Sequence, residues 1–538
     1  MKKYMLLSAA LLLFTASCSN DENNNEQKEP TQTVQFSFIN EDFGEDETPT
    51  RTAETAKPQI VDLGDCEAEI SVESEPAAKT RGALTPANGH YTIRAYQAGT
   101  LKGEMSGTFS GGTFTPDASS SKKLNLPYGT YDFVAFNDDV TVSGTNLTTP
   151  RAKAETARMG FATVNITSPT PIYVLFTMKH VGCRLRTQFF CPKDIPNNIT
   201  ATLEATAASV IPVNVSYNPA TKAFTGTSGA MATEINNSPA STEPKYYGTI
   251  YYPYGYTSTS DYHYFLPTTA GSHLKLNFSA GTIFWKPMNN VTIPQLSTTF
   301  LMEAGKSYLI RIKLNPNYTY LMSDGSTGFF RDTTFGGGTK TPIAVVINQD
   351  KRIAVALQDA NGGNICPWTT QSNYQSYFNT YIKMSFEDAL AWENGYEETW
   401  DPGYSTSNVT GNQVKGNNPN FPPFKACADY NPGVTVTGAN VSKWYLPAYG
   451  EYKYLFTTLG FEPASKISGV GDMDCYGNLI NTAFTKVGGA RFDHTKWYWS
   501  STEQGNGEAE RVSPRSMSVN WNYNLKNLNN LVRAFVKY

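Results

Sequence analysis

Charge is scarce in this chain. Only 17% of its 538 residues are Asp, Glu, Lys or Arg, and 43 Lys and Arg against 47 Asp and Glu leave a formal net charge of −4 without a basic stripe. A phosphate backbone needs such a stripe, so the composition argues against nucleic acid as a partner. Histidine is rarer still, with five residues and no Ser–His–Asp order among them, which argues against triad hydrolysis. The seven cysteines follow no zinc-ribbon spacing. Long amphipathic helices are few, and the apolar run near the amino terminus is about half a transmembrane span. What remains is 40% hydrophobic residues, 13% aromatics, 42 Gly, 31 Pro and 32 Tyr, a balance that favours short strands joined by many turns. The length predicts about three or four domains.

The opening "MKKYMLLSAALLLFTASC", residues 1–18, places Lys2 and Lys3 before a short apolar stretch and small residues before Cys18. This is the pattern of an export signal, and Thr15, Ala16, Ser17 and Cys18 resemble a lipobox, in which the cysteine thiol receives diacylglycerol. Residues 19–57, beginning "SNDENNNEQKEPTQT", are polar and acidic and read as a disordered tether. The tether resembles the surface-export signal of Bacteroidales lipoproteins, which implies the outer face of the outer membrane. Export also permits disulfides among Cys66, Cys183, Cys191, Cys366, Cys427 and Cys475, without specifying any pair.

Residues 58–315 carry strand patterns. In "CEAEISVESE", Cys66, Ala68, Ile70 and Val72 alternate with Glu67, Glu69, Ser71 and Glu73, the period of a strand with one buried face. "GHYTIRAYQAG" and "LNLPYGTYDFVAFNDD" follow in the same style. The helix-friendly "PRAKAETARMG", residues 150–160, marks a boundary near 160 between a first sandwich, 58–160, and a second, 161–317. The second holds "TPIYVLFTMKHVGCRLRTQFF", "HLKLNFSAGTIFW" and "KSYLIRIKLNPNY". It also holds "YYGTIYYPYGYTSTSDYHYF", with eight tyrosines in twenty residues, read as a hairpin with its hydroxyls at the rim rather than a sugar platform. Residues 318–538 change to an α+β texture. Ser385 and Asp388 form a capping pattern ahead of a helix whose face carries Phe386, Ala389 and Leu390, and a second helix begins near Pro447.

The order of tether, "EAEISVESEPAAKTRGALTPANGHYTIRAYQAG" and "LPYGTYDFVAFND" resembles the fimbrillin family of pilin-like Bacteroidales lipoproteins over roughly residues 1–315. The resemblance implies two consecutive antiparallel, transthyretin-like β-sandwiches in a mainly β chain. It also implies cleavage after an arginine and loss of the first strand, whose groove a neighbouring subunit's strand then fills. By position Arg81 matches the cleavage site, with Arg51 as second choice, and the displaced strand carries Ala68, Ile70 and Val72. The late pieces "IAVALQD", "FEDALAW", "WYLPAYGEYKYL", "WYWSSTE" and "VRAFVKY" resemble a C-type-lectin-like domain related in fold to formylglycine-generating enzymes. Its signature here comprises Trp444, Leu446, Pro447, Glu451, Trp497, Tyr498, Trp499, Ser500, Ser501 and Arg533.

Chemistry is weakly signposted. Ser500 and Ser501 lack the glycine frame of a nucleophile elbow, even with His494 nearby. Cys427 and Cys475 do not match the neighbourhood of the copper-binding pair in the related oxidases. Calcium-dependent lectins use EPN or QPD with WND, whereas this chain has only "VNWNY". Asp472, Asp474 and Asn478 could offer oxygens to calcium but read better as a polar turn. In "WYWSSTE", alternation puts Trp497 and Trp499 on one face and Tyr498 and Ser500 on the other, with the tryptophans inward and an exposed loop after Glu503. No catalytic residue, cofactor or metal is implied.

These observations predict a fimbrial tip subunit, an adhesin that accepts a strand from another subunit and presents its end domain to a host or bacterial glycan or protein. The tip position follows from resemblance: "VRAFVKY" belongs to the end domain, where this family places a donor strand. The alternative is a surface glycan-binding protein, anchored by lipid on Cys18, that never polymerises.

Overall fold

The computed structural model describes residues 31–44, 46–47, 59–63, 66–71, 84–168, 170–243, 245–246, 254–297 and 301–538. The signal, Cys18, Arg51, Val72 and Arg81 lie outside them. The fold is mainly β, and period-2 alternation sets most of it. In Ile172–His180, Val174, Phe176, Met178 and His180 are buried while Tyr173, Leu175 and Lys179 are exposed. In Cys183–Cys191 every second residue, from Cys183 through Leu185, Thr187 and Phe189, is buried.

The first sandwich is built on a nine-stranded sheet. Its path runs from Leu84–Pro86 through Thr31–Glu41, Ile172–His180, Arg158–Ile166, Gly129–Asn137 and Gly89–Gln97 to Thr100–Ser110 and Thr113–Pro116. One face packs Phe36, Phe38, Tyr91, Phe109, Phe133 and Phe176 into a core. A second cluster joins Phe136 and Met159 to Leu147, Val215 and Tyr217 of a four-stranded sheet. The second sandwich pairs an eight-stranded sheet centred on Cys183–Cys191 and Ser307–Pro316 with a four-stranded one centred on Ile199–Ala205 and Leu274–Ala280. Leu185, Leu203, Leu276, Ile312 and Leu314 fill the space between them.

Four expectations are corrected. Residues 31–41 are not tether but an 11-residue strand in the interior of the first sheet. Val34, Phe36 and Phe38 are buried and alternate with exposed Gln35 and Ser37, a period hidden behind the acidic residues around it. The strand Cys66–Ser71 does not join the 58–160 body. It pairs with Ser307–Pro316, setting Ala68 opposite Leu314 and Ile70 opposite Ile312. The break near 160 is also displaced. Arg158–Ile166 and Ile172–His180 both belong to the first sheet, and "PRAKAETARMG" forms only a short 3₁₀ turn at Arg151–Lys153. Finally, the sheets are mixed rather than antiparallel throughout. Thr31–Glu41 runs parallel to Ile172–His180, and Cys183–Cys191 runs parallel to Ser307–Pro316.

Residues 318–538 contain five-, four- and two-stranded sheets with four short α-helices. The helix Phe386–Ala391 starts as the sequence indicates, with Ser385 Oγ accepting a hydrogen bond from the Asp388 amide at 3.1 Å. Near Pro447 the chain forms a 3₁₀ turn, Tyr449–Tyr452, and then a π turn, Leu455–Leu459, rather than one regular helix. Among the described residues no helix is long and apolar enough to cross a membrane.

Candidate functional site

The expected displaced strand is a buried element with two kinds of partner. Ala68 and Ile70 enter the core of the second sandwich, while Gln59–Asp62 forms a hairpin with it. Glu67, which alternation points outward, is only 3% exposed and pairs with Lys486 of the end domain. Asp62 at the hairpin accepts from Asn317 Nδ2 at 3.2 Å and pairs with Arg331. The hairpin therefore binds both its own sheet and the end domain.

The strand Thr31–Glu41 is the second removable candidate, and sequence reasoning missed it. Phe38 stacks on Tyr91 at 4.6 Å and packs on Phe109 and Phe176, while Phe36 meets Phe133 at 6.0 Å. Its backbone pairs with Ile172–His180 on one side and with Leu84–Pro86 and Asn125–Pro127 on the other. Withdrawing it would leave unpaired N–H and C=O groups beside an aromatic trough.

The lectin-like signature residues come together as core. Tyr498, Trp499, Ser500, Ser501, Thr502 and Glu503 are all fully buried, so neither face of this strand meets solvent. Trp499 Nε1 donates to the Cys366 carbonyl at 2.9 Å, and Tyr498 OH accepts from the Asp493 amide at 2.9 Å. Trp497 departs from the expected inward pair. It is half-buried with the Arg511 guanidinium 4.1 Å over its ring. Ser500 Oγ donates to the Glu510 carbonyl at 2.9 Å and Ser501 Oγ to Glu398 at 2.5 Å, so both hydroxyls are committed within the core. Glu503 is not at the edge of an exposed loop. It pairs with buried Lys526 and accepts from the Phe378 and Asn379 amides at 3.0 and 2.5 Å. Glu451 caps the turn before it, accepting from Tyr445 OH and the Ala448 amide, both at 2.7 Å.

The other signature residues are structural as well. Leu446 is fully buried, Trp444 packs on Tyr430 at 4.8 Å, and Pro447 offers its carbonyl to the Ser501 amide at 2.8 Å. Arg533 bonds Asp359 at 2.7 Å and the Ala490 carbonyl at 3.0 Å, with Phe492 4.1 Å beneath it. Cys427 and Cys475 belong to different hydrophobic clusters and cannot form a joint site. Burial raises the Cys427 and Cys475 thiols above their ordinary range and Cys366 to about 12, which keeps them protonated. Asp472 accepts from Arg515 at 2.9 Å and from Ser518 at 2.9 Å, so its oxygens serve a surface ion pair. Of the tyrosine run, the described strands Tyr254–Thr259 and His263–Phe265 pair with Cys183–Cys191, and Tyr262 lies under Arg184 and Arg186.

A cleft the sequence did not announce lies where the second sandwich meets the end domain. It has a volume of about 560 Å³ and is lined by Phe284, Phe329, Tyr454 and Phe461 together with Asn348 and Gln349. Phe284 and Trp285 are the two-residue loop of the hairpin Thr282–Ile283 to Lys286–Pro287, with φ of 49° and 67°. Such loops need two left-handed residues, a demand normally met by Asn-Gly. Phe461, at φ 53°, meets Phe284 at 5.2 Å and Trp285 at 6.2 Å. Three bulky left-handed aromatics thus converge at one spot, each at a cost of about 1–3 kcal/mol. The sequence signal was "GTIFWKP", an aromatic pair at a turn position where small residues belong.

No protein-family model matches the chain, and no curated protein does. Among solved structures, a fimbrial protein from Bacteroides ovatus ATCC 8483 is 13% identical with a TM-score of 0.25, covering 95% of this chain and 100% of that one. A fimbrial protein from Bacteroides vulgatus ATCC 8482 is 12% identical with a TM-score of 0.26, covering 42% and 91%. The fimbrial anchor protein Mfa2 from Porphyromonas gingivalis is 11% identical with a TM-score of 0.23, covering 59% and 96%.

Proposed function

We propose that this protein is an adhesin-type fimbrial subunit, exported as a lipoprotein through Cys18, whose amino-terminal strand is a temporary occupant of its own assembly groove. The observation that carries the reading is the strand Thr31–Glu41. It sits in the interior of the first sheet, runs parallel to its neighbour and completes an aromatic core, and the chain after it carries Arg51 in a polar stretch. A proteolytic cut after Arg51 would free this strand and the short strand Asp46–Glu47, which pairs with Ser307–Pro316. A cut after Arg81 would free both together with the Gln59–Asp62 and Cys66–Ser71 hairpin, so that each sandwich loses strands. Either product offers an apolar trough and unpaired backbone to a donor strand from another subunit.

The tip position is part of the proposal. In the end domain Phe535–Lys537 closes on Ile353–Ala356 with Phe535 fully buried, so this strand is committed to its own sheet. A surface ligand, glycan or protein, is what such a domain would meet.

The test is limited digestion with an arginine-specific protease, followed by amino-terminal sequencing and mixing with a fimbrial stalk subunit. The expected result is a new terminus after Arg51 or Arg81 and a stable complex only after cutting. A clipped protein that accepts no strand favours the lipid-anchored glycan-binding alternative instead.

A further inference from the structure

The junction cleft has the chemistry of a carbohydrate site, and we infer that it binds a neutral oligosaccharide, with Trp285 as the stacking face at its mouth. This inference rests on the reading of the chain as a surface-recognition protein but not on its polymerising. A sugar ring presents an apolar C–H face edged by hydroxyls, so a site for it needs a flat aromatic surface beside hydrogen-bonding groups that carry no net charge. The cleft supplies both. Trp285 is 49% exposed, against an average preference for burial of so large a ring, and it stands edge-on to Phe461, which lines the cleft. Asn348, Gln349 and Thr457 line the same space, while Lys286 and Asp350 are its two charged lining residues and offset one another.

The backbone gives the second line of argument. Two residues of the Phe284–Trp285 turn and Phe461 opposite all hold left-handed backbone that a glycine or asparagine would adopt without strain. Strain retained in bulky aromatics marks positions where the side chain is needed; here Phe284 and Phe461 line the opening and Trp285 packs against Phe461 beside it. The opening also extends. A second recess of about 520 Å³ shares Thr319, Phe329 and Gln349 with the first and continues to Asn440 and Arg352. A chain of several sugar units fits this shape better than a monosaccharide.

The experiment is calorimetric titration of the full chain with cellohexaose, laminarihexaose and mannohexaose, with a heparin hexasaccharide as the charged comparison. At least one neutral hexasaccharide binds saturably and the heparin fragment does not. Trp285→Ala weakens that binding by at least about tenfold, the loss of a central aromatic contact, while Trp285→Phe keeps most of it. Trp497→Ala, at the half-exposed tryptophan of the end domain, binds like the parent. Circular dichroism melts of the variants show that the fold is intact. Binding of none of the neutral probes, preference for the heparin fragment, an unaffected Trp285→Ala, or loss in Trp497→Ala would each overturn the inference. None of these outcomes depends on cleavage or strand acceptance, so failure here leaves the assembly reading standing.

Discussion

Four glutamates of the end domain are almost entirely removed from water, and each meets burial differently. Glu503 has Lys526 and two backbone amides, and Glu398 has Trp392 Nε1 at 2.9 Å and the Ser501 hydroxyl, with Lys415 buried nearby. Glu451 has a tyrosine hydroxyl and an amide, whereas Glu510 Oε2 meets no partner. Burial is the main cause that raises Glu451 and Glu510 to about 8 from the ordinary 4.5. Between those limits the folded chain holds protons that the unfolded chain releases. Stability from these groups is therefore full below about 4.5 and is lost as pH rises through 8. The melting temperature should fall from pH 5 to pH 8, and Glu510→Gln should melt a few degrees above the parent at pH 8 while matching it at pH 5. A variant with the parental slope would place the proton elsewhere. Burial raises the Glu503 carboxyl too, but its pairing with Lys526 makes its removal costly. Glu503→Gln leaves the Lys526 ammonium uncompensated and should cost about 3–5 kcal/mol in urea unfolding.

At the scale of elements, the hairpin carrying Phe284 and Trp285 separates backbone from side-chain needs. Trp285→Gly should be more stable than Trp285→Ala by about 1–2 kcal/mol in denaturant titration, because only glycine relieves a left-handed φ of 67°. Equal stabilities would show an unstrained turn. This hairpin also shows the limit of what the sequence discloses. Alternation was readable in Cys66, Ala68 and Ile70, and the Ser385 cap was readable from its spacing, since both signals are local. The partner of Cys66–Ser71 was not readable, because it lies in Ser307–Pro316 and pattern alone does not encode which distant strand is opposite. Thr31–Glu41 was masked by composition, its three buried apolar residues being set among acidic neighbours. "WYWSSTE" was legible as core, but not the burial of Ser501, Thr502 and Glu503, since their partners Glu398, Tyr449 and Lys526 are more than twenty residues away.

Across the whole molecule, the end domain and second sandwich share contacts usually found inside one domain. Tyr476 OH donates to Asp194 at 2.8 Å, and Arg331 pairs with Asp62 of the amino-terminal hairpin. Leu479, 2% exposed, is inserted into the core of the second sandwich. Lys486 reaches Glu67 of the amino-terminal hairpin and also lies 4.4 Å over Phe330. The two bodies should therefore unfold together in calorimetry, and Leu479→Asp, which forces a charge into that core, should split the transition in two. The same measurement distinguishes the two proposed cleavage sites. Cutting after Arg51 leaves Glu67 and Asp62 in place, so the joint transition should survive in the clipped protein. Cutting after Arg81, once the amino-terminal fragment is released, removes both carboxylates and the strand covering Ile312 and Leu314, so the transition should split as in Leu479→Asp. A donor strand that filled the groove would then restore the sheet pairing opposite Ile312 and Leu314. It would rejoin the two transitions only if it also supplied an acid opposite Lys486.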